Sequence, residues 1–234
     1  MKISGLQKVT TIDYPGEIAC TIFLHGCNFR CGFCYNPDLV IKEPEEGFSE
    51  EQILKFLKGR VGKLDAVCIT GGEPLMTLDF DFVRKIKDIG FKVKIDTNGS
   101  FPDKLKEMID LGLVDYIAMD IKNSKEKYSE AVGINANIDR LEESIKMIHD
   151  FGDYEFRTTT VARLHDADSM VSMAKWLNEV CGAKPKQLFL QGFKKNKDGM
   201  IDSSYMNELD VSEKFLVELK GEIKDYFEKV EVRV

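Results

Sequence analysis

Three of the chain's six cysteines crowd into Cys27-Asn28-Phe29-Arg30-Cys31-Gly32-Phe33-Cys34, while Cys20, Cys68 and Cys181 stand alone. Thiolates are soft ligands that iron–sulfur clusters and zinc both accept. A C-x3-C-x2-C array can reach three irons of a cubane. With no fourth cysteine near it, one iron is left open to a small molecule. A structural zinc site normally has a fourth protein ligand close at hand, and His25 is the candidate here. Two features weigh against zinc: the array directly follows an apolar, strand-like run, and no second Cys/His pair lies at finger spacing. The isolated cysteines read as buried thiols.

Further groups with chemical potential close later strand-like runs. Thr70-Gly71-Gly72-Glu73-Pro74 combines glycines, which let a backbone approach closely, with a carboxylate suited to an ammonium group. Asp96-Thr97-Asn98-Gly99 and Asp120-Ile121-Lys122 add two carboxylates and an ammonium, able to bind hydroxyls, a cation or an acidic group. Singly, each reads equally as a turn or a helix cap. Arg157 sits inside a strand-like run, where a charge is costly unless paired, so it is expected to meet an anionic group.

These residues are positioned by a regular alternation of elements. Runs at 18–24, 66–70, 92–96, 116–120, 155–161 and 187–190 are short, apolar and β-rich. Between them lie helical patterns: 49–58 opening on a capping-type Ser-Glu-Glu-Gln, 80–89 stopping at Gly90, 102–111 stopping at Gly112, then 137–151, 167–180 and 211–227. About six β/α units imply an α/β fold with a parallel sheet and right-handed crossovers. A full eight-unit barrel usually needs roughly 250 residues, with about 200 as a lower limit, so six recognisable units favour a partial, open TIM-type barrel. Lys2 to Pro15 alternates like a strand and is expected to form a small N-terminal hairpin. Val230 to Val234 suits one more edge strand. Residues 1–234 read as a single domain.

The net charge of −7, with scattered Lys and Arg, argues against nucleic acid or anionic lipid as the main ligand. No apolar run reaches the roughly 18 residues of a membrane span. The N-terminus lacks the apolar core of a signal peptide. A cytoplasmic, reducing setting is expected, where six cysteines do not suggest a disulfide framework.

With Phe33 in its aromatic position, the cysteine array after the first strand resembles the signature of the radical S-adenosylmethionine (SAM) superfamily. Gly71-Gly72-Glu73 matches that family's GGE element, and the pair of motifs is far more specific than either alone. The Asp96-Thr97-Asn98-Gly99 and Asp120-Ile121-Lys122 stretches resemble those of pyruvate formate-lyase activating enzymes. Ile12-Asp13-Tyr14-Pro15-Gly16 and His25-Gly26-Cys27 look most like the activating proteins of anaerobic ribonucleoside-triphosphate reductases. The resemblance implies one [4Fe–4S] cluster on Cys27, Cys31 and Cys34, whose open iron chelates SAM and whose reduced form cleaves it to a 5′-deoxyadenosyl radical. It further implies a SAM site of Phe33, Gly71, Gly72, Glu73, Asp96, Asn98, Asp120, Lys122, Arg157 and Gln191, and a monovalent cation at Asp96, Thr97 and Asp120. The implied partners are a glycyl radical enzyme and a flavodoxin- or ferredoxin-type electron donor. Two departures stand out: Tyr35-Asn36 where His-Asn is common, and Gln191 where the pyruvate formate-lyase activator has a His. Alternatives are a radical SAM enzyme acting on a small molecule, such as a deazapurine synthase, and a non-catalytic metal-binding or electron-transfer module.

Overall fold

The computed structural model describes residues 1–43, 46–197 and 199–234. Among them eight strands form one sheet in chain order: β1 (Ile3–Thr10), β2 (Ala19–Leu24), β3 (Ala66–Gly71), β4 (Lys92–Thr97), β5 (Tyr116–Asp120), β6 (Tyr154–Thr160), β7 (Gln187–Gly192) and β8 (Lys229–Arg233). The connections carry helices α1 (Asp38–Ile41), α2 (Glu50–Lys58), α3 (Phe80–Ile89), α4 (Pro102–Asp110), α5 (Tyr128–Val132), α6 (Ile138–Phe151), α7 (Ala167–Cys181) and α8 (Glu213–Ile223). Each strand from β2 to β7 is therefore followed by at least one helix, which is the expected α/β alternation. The strand order ends at β1 and β8, which are not neighbours in it, so the sheet is unclosed, as a partial barrel requires.

By Cα packing the chain groups into two compact units: Met1–Asn28, Asp38–Thr97 and Asp103–Ala118, and then Phe29–Pro37, Asn98–Pro102 and Met119–Val234. In the first, β2, β3 and β4 run parallel, with Cys68 beside Lys94 in register. The N-terminal stretch differs from expectation. The hairpin is formed by β1 and β2 in antiparallel pairing, so its second arm is the first core strand itself and does not lie before it. Alternation selects which face of a strand is buried and says nothing about its partner. Val67, Ile69, Val93 and Ile95 are fully buried, as are Ile53 and Leu57 of α2 and Phe82, Val83 and Ile86 of α3. Each such side chain contributes about 1.5–3 kcal/mol. Tyr14 packs with Ala19, Ala66 and Cys68, and its ring lies 5.7 Å from that of Tyr116. Asp13 accepts the Thr21 hydroxyl at 2.5 Å. The Ile12–Gly16 motif thus has a structural task in this unit.

In the second unit β6, β7 and β8 are parallel, so the C-terminal run is a full strand of the ladder. Asn137, Asp166 and Ser212 cap α6, α7 and α8 with side-chain acceptors. Trp176 packs as expected, edge-on to Tyr128 at 5.9 Å, with its indole N–H donating to Glu142 at 2.8 Å. No helix among the described residues is long and apolar enough to cross a membrane.

Candidate functional site

In the first unit the end of β3 is stitched to the chain entering the cysteine array. The Gly72 N–H donates to the Leu24 carbonyl at 2.9 Å and the Glu73 N–H to the Gly26 carbonyl at 2.8 Å. A Cβ on Gly72 would stand 1.9 Å from the Gly26 carbonyl oxygen, and Gly71 has φ +122°, so neither position accepts a side chain. The glycine pair brings Glu73 and the peptide leading into Cys27 together. Glu73 is fully buried, and its Oε1 accepts from the Leu75 N–H at 3.1 Å and the Thr97 hydroxyl at 2.8 Å. Two residues along β4, the Lys94 ammonium lies 2.5 Å from Asp96 Oδ1.

The second unit holds Cys31 and Cys34 in one turn, with the Cys34 N–H donating to the Cys31 carbonyl at 3.0 Å. That turn is clamped from both ends. The Arg30 N–H donates to the Val132 carbonyl at 2.8 Å, and the Asp202 N–H donates to the Gly32 carbonyl at 3.1 Å. Gly32 is needed because a Cβ there would stand 2.5 Å from the Tyr205 ring. Phe33 is buried with its ring 5.8 Å from Tyr205, and the Arg163 guanidinium covers that tyrosine at 3.7 Å.

Beside this turn, Asp120 accepts from Arg157 Nε at 2.9 Å and from Lys122 Nζ at 3.0 Å. Burial pushes the Asp120 carboxyl up, but the two cations more than reverse this and hold it well below the usual carboxylate range. Burial likewise opposes the charge on Lys122, and Asp120, with a smaller contribution from Cys31, restores it above the usual lysine value. The Cys34 thiol is raised by burial, while the backbone N–H of Asn36 and the charge of Lys122 act in the opposite direction. Lys122 is therefore electrostatically coupled to both thiols, and Asp120 to that of Cys34.

Among the expected site residues, Asn98 is committed to its own turn, accepting from the Ser100 N–H at 3.0 Å and the Ser100 hydroxyl at 2.5 Å. Gln191 lies on β7 in register with Thr159 and Arg233, on the strand face that carries Arg157 in β6. Of the three residues implied for a monovalent cation, Asp96 is engaged with Lys94 and Asp120 with Lys122 and Arg157, while the Thr97 hydroxyl donates to Glu73. The donor set therefore does not fit that ion.

An iron–sulfur cubane fits better. None of the six cysteines is joined in a disulfide. A cubane takes one soft thiolate on each of three irons, which is the donor type that the array supplies. His25 has partners at both ring nitrogens, Ser4 Oγ at 3.3 Å and the Lys42 carbonyl at 3.1 Å.

Several contributors carry no sequence signal. His165 is buried, with Nε2 3.0 Å from the Lys122 carbonyl, and the Asn123 amide donates to the Leu164 carbonyl at 2.9 Å. Tyr128 donates to the Asp120 carbonyl at 3.4 Å. Together they fix the Asp120–Lys122 backbone. A lone His or Tyr outside any motif gives no hint of such a contact. Lys94 and Tyr205 were equally silent.

The family model that describes the radical SAM superfamily matches residues 21–177. An enzyme of Methanocaldococcus jannaschii, provisionally named a glycyl-radical enzyme activating enzyme, is 33% identical over 205 residues, covering 82% of this chain and 84% of its own. The pyruvate formate-lyase-activating enzyme of Listeria monocytogenes is 29% identical over 136 residues, 52% of this chain and 53% of that one. Among solved structures, Streptococcus suis SuiB bound to its precursor peptide SuiA superposes over 92% of this chain with a TM-score of 0.66 at 14% identity, a likeness of fold. The chain spans about half the length of SuiB, 48% of it. With the cysteine turn, the glycine-paired Glu73 and the charged ends of β4 and β5 lying within the matched span, the chain belongs to the radical SAM superfamily.

Proposed function

We propose that this chain activates a glycyl radical enzyme, removing a hydrogen atom from a backbone glycine of a partner protein, with an anaerobic ribonucleotide reductase as the partner type. The carrying observation is the 33% identity with the archaeal activating enzyme over four-fifths of both chains. Cys27, Cys31 and Cys34 would hold the [4Fe–4S] cluster, which when bound and reduced supplies the electron that splits SAM and so generates the hydrogen-abstracting species. Glu73 would receive the SAM ammonium: its buried carboxylate is oriented by Leu75 and Thr97 before any ligand arrives. Lys122 and Arg157 would meet anionic groups of the cofactor, with Asp120 holding both in place. Phe33, packed on Tyr205, would keep the cysteine turn rigid and exclude water. The single electron would come from a flavodoxin- or ferredoxin-type protein.

The test is direct. Reconstituted protein, SAM and a reductant are mixed with an anaerobic ribonucleotide reductase and frozen for electron paramagnetic resonance. The expected result is a glycine-centred doublet on the reductase that needs both SAM and this chain. SAM cleavage without a glycyl radical, accompanied by turnover of a small-molecule substrate, would overturn the activase assignment.

A further inference from the structure

The resemblance assigns Asp96, Thr97 and Asp120 to a monovalent cation, and this protein gives all three other partners. Lys94 and Asp96 are two apart on β4 and so share a face of the strand. Their charged groups meet at 2.5 Å, with the Lys94 side chain 1% exposed and that of Asp96 15%. Lys94 is the only lysine or arginine in the buried class among the described residues. An ammonium taken out of water costs several kcal/mol unless it is paired, so its placement calls for a reason. The Thr97 hydroxyl is given to Glu73. In the second unit, Asp120 is held by Lys122 and Arg157. A lysine ammonium carries the same charge as a potassium ion, is of similar size, and has three N–H donors that seek the same oxygens.

We propose that Lys94 is a built-in replacement for the monovalent cation. It is a positioning residue that holds Asp96 without any dissociable ion, so the chain binds its cofactor independently of K⁺ or Na⁺. The identity of that cofactor rests on the function proposed above. Nothing in the family likeness requires this substitution; it follows from a buried lysine paired with a carboxylate that was expected to hold a metal ion.

Two measurements on the reconstituted protein, exchanged into a tetramethylammonium buffer, test it. The first is the SAM dissociation constant with and without added K⁺; the second is binding of Rb⁺ to the protein alone. For the wild type we expect a change of less than about twofold on adding K⁺, the size of general salt screening, and no stoichiometric Rb⁺. Lys94→Met should bind SAM about tenfold more weakly without K⁺, because Asp96 loses its compensating charge. It should recover on adding K⁺ and acquire a Rb⁺ site, which a merely structural role would not produce. Lys94→Arg should stay independent of K⁺. A wild type whose SAM affinity rises tenfold with K⁺, or which binds Rb⁺, overturns the proposal, as does a Lys94→Met protein that matches the wild type without K⁺. If Lys94→Met does not fold, the wild-type titrations decide. If no SAM binds in any salt, the cofactor assignment fails, and the Rb⁺ measurement alone decides the role of Lys94.

Discussion

At the scale of single residues, the most consequential group is Asp120, because it neutralises two cations at once. Removing its charge takes from Lys122 and Arg157, each 14% exposed at the side chain, the carboxylate they share, and leaves Arg157 the longer contact to Glu155 at 3.9 Å. Asp120→Asn is expected to lower stability by about 2 kcal/mol, below the range for a fully dry pair because the Asp120 side chain is itself 27% exposed. Urea unfolding at neutral pH measures this. The sign with pH follows from the carboxyl's position below its ordinary value of 3.8. The folded state binds that proton less readily than the unfolded state, so the contribution is complete above the ordinary carboxylate range. It declines as the pH falls below 3.8 toward the folded value. The difference between wild type and Asp120→Asn should therefore shrink in strong acid; a gap unchanged there would contradict the assigned pairing. Arg157 was legible as a paired charge because a cation inside a strand demands a partner. Lys94 was not, since in Lys92-Val93-Lys94 the two lysines look alike. Lys92 reaches solvent and meets Glu17 at 2.5 Å, while Lys94 is enclosed. Only the packing distinguishes them.

At the scale of elements, local chemistry was read most reliably where a side chain acts on its own backbone. Ser49 and Gln52 form the reciprocal cap anticipated at the start of α2, and Gly90 ends α3 in the left-handed conformation. The short helices α1 and α5, of four and five residues, escaped because so few positions carry no periodicity. The partner of β1 escaped because pairing is decided by the sheet and not by the strand. Caps also bear on the site. Asp166 caps α7 by accepting the Ser169 N–H at 2.7 Å, immediately after His165, which holds the Lys122 carbonyl. The hydrogen bonds from the Ser169 N–H and hydroxyl, more than Lys127, push the Asp166 carboxyl down to about 2. Asp166→Ala should cost about 1 kcal/mol, as cap removals do, read as a lower midpoint in thermal unfolding. Because the folded pKa is depressed, that cost should fade as pH falls from the ordinary 3.8 through about 2. An unchanged midpoint at neutral pH would show that the cap does not hold α7.

At the scale of the whole molecule, the alternation of strands and helices was legible because buried parallel strands leave continuous apolar runs between amphipathic helices. The motifs were legible because each follows a strand end. What the sequence could not reveal was which charges pair, Lys94 with Asp96 inside β4 and Arg157 of β6 with Asp120 of β5. The central claim is that the turn holding Cys31 and Cys34, with Cys27, binds an iron–sulfur cluster that cleaves SAM. The most direct measurement is anaerobic reconstitution with iron and sulfide, followed by reduction in the presence of SAM and quantification of iron, 5′-deoxyadenosine and methionine. The prediction is about four irons per chain and equal amounts of the two products, with iron uptake and cleavage both lost in Cys31→Ala. A colourless protein holding one zinc ion and leaving SAM intact under reduction would contradict it.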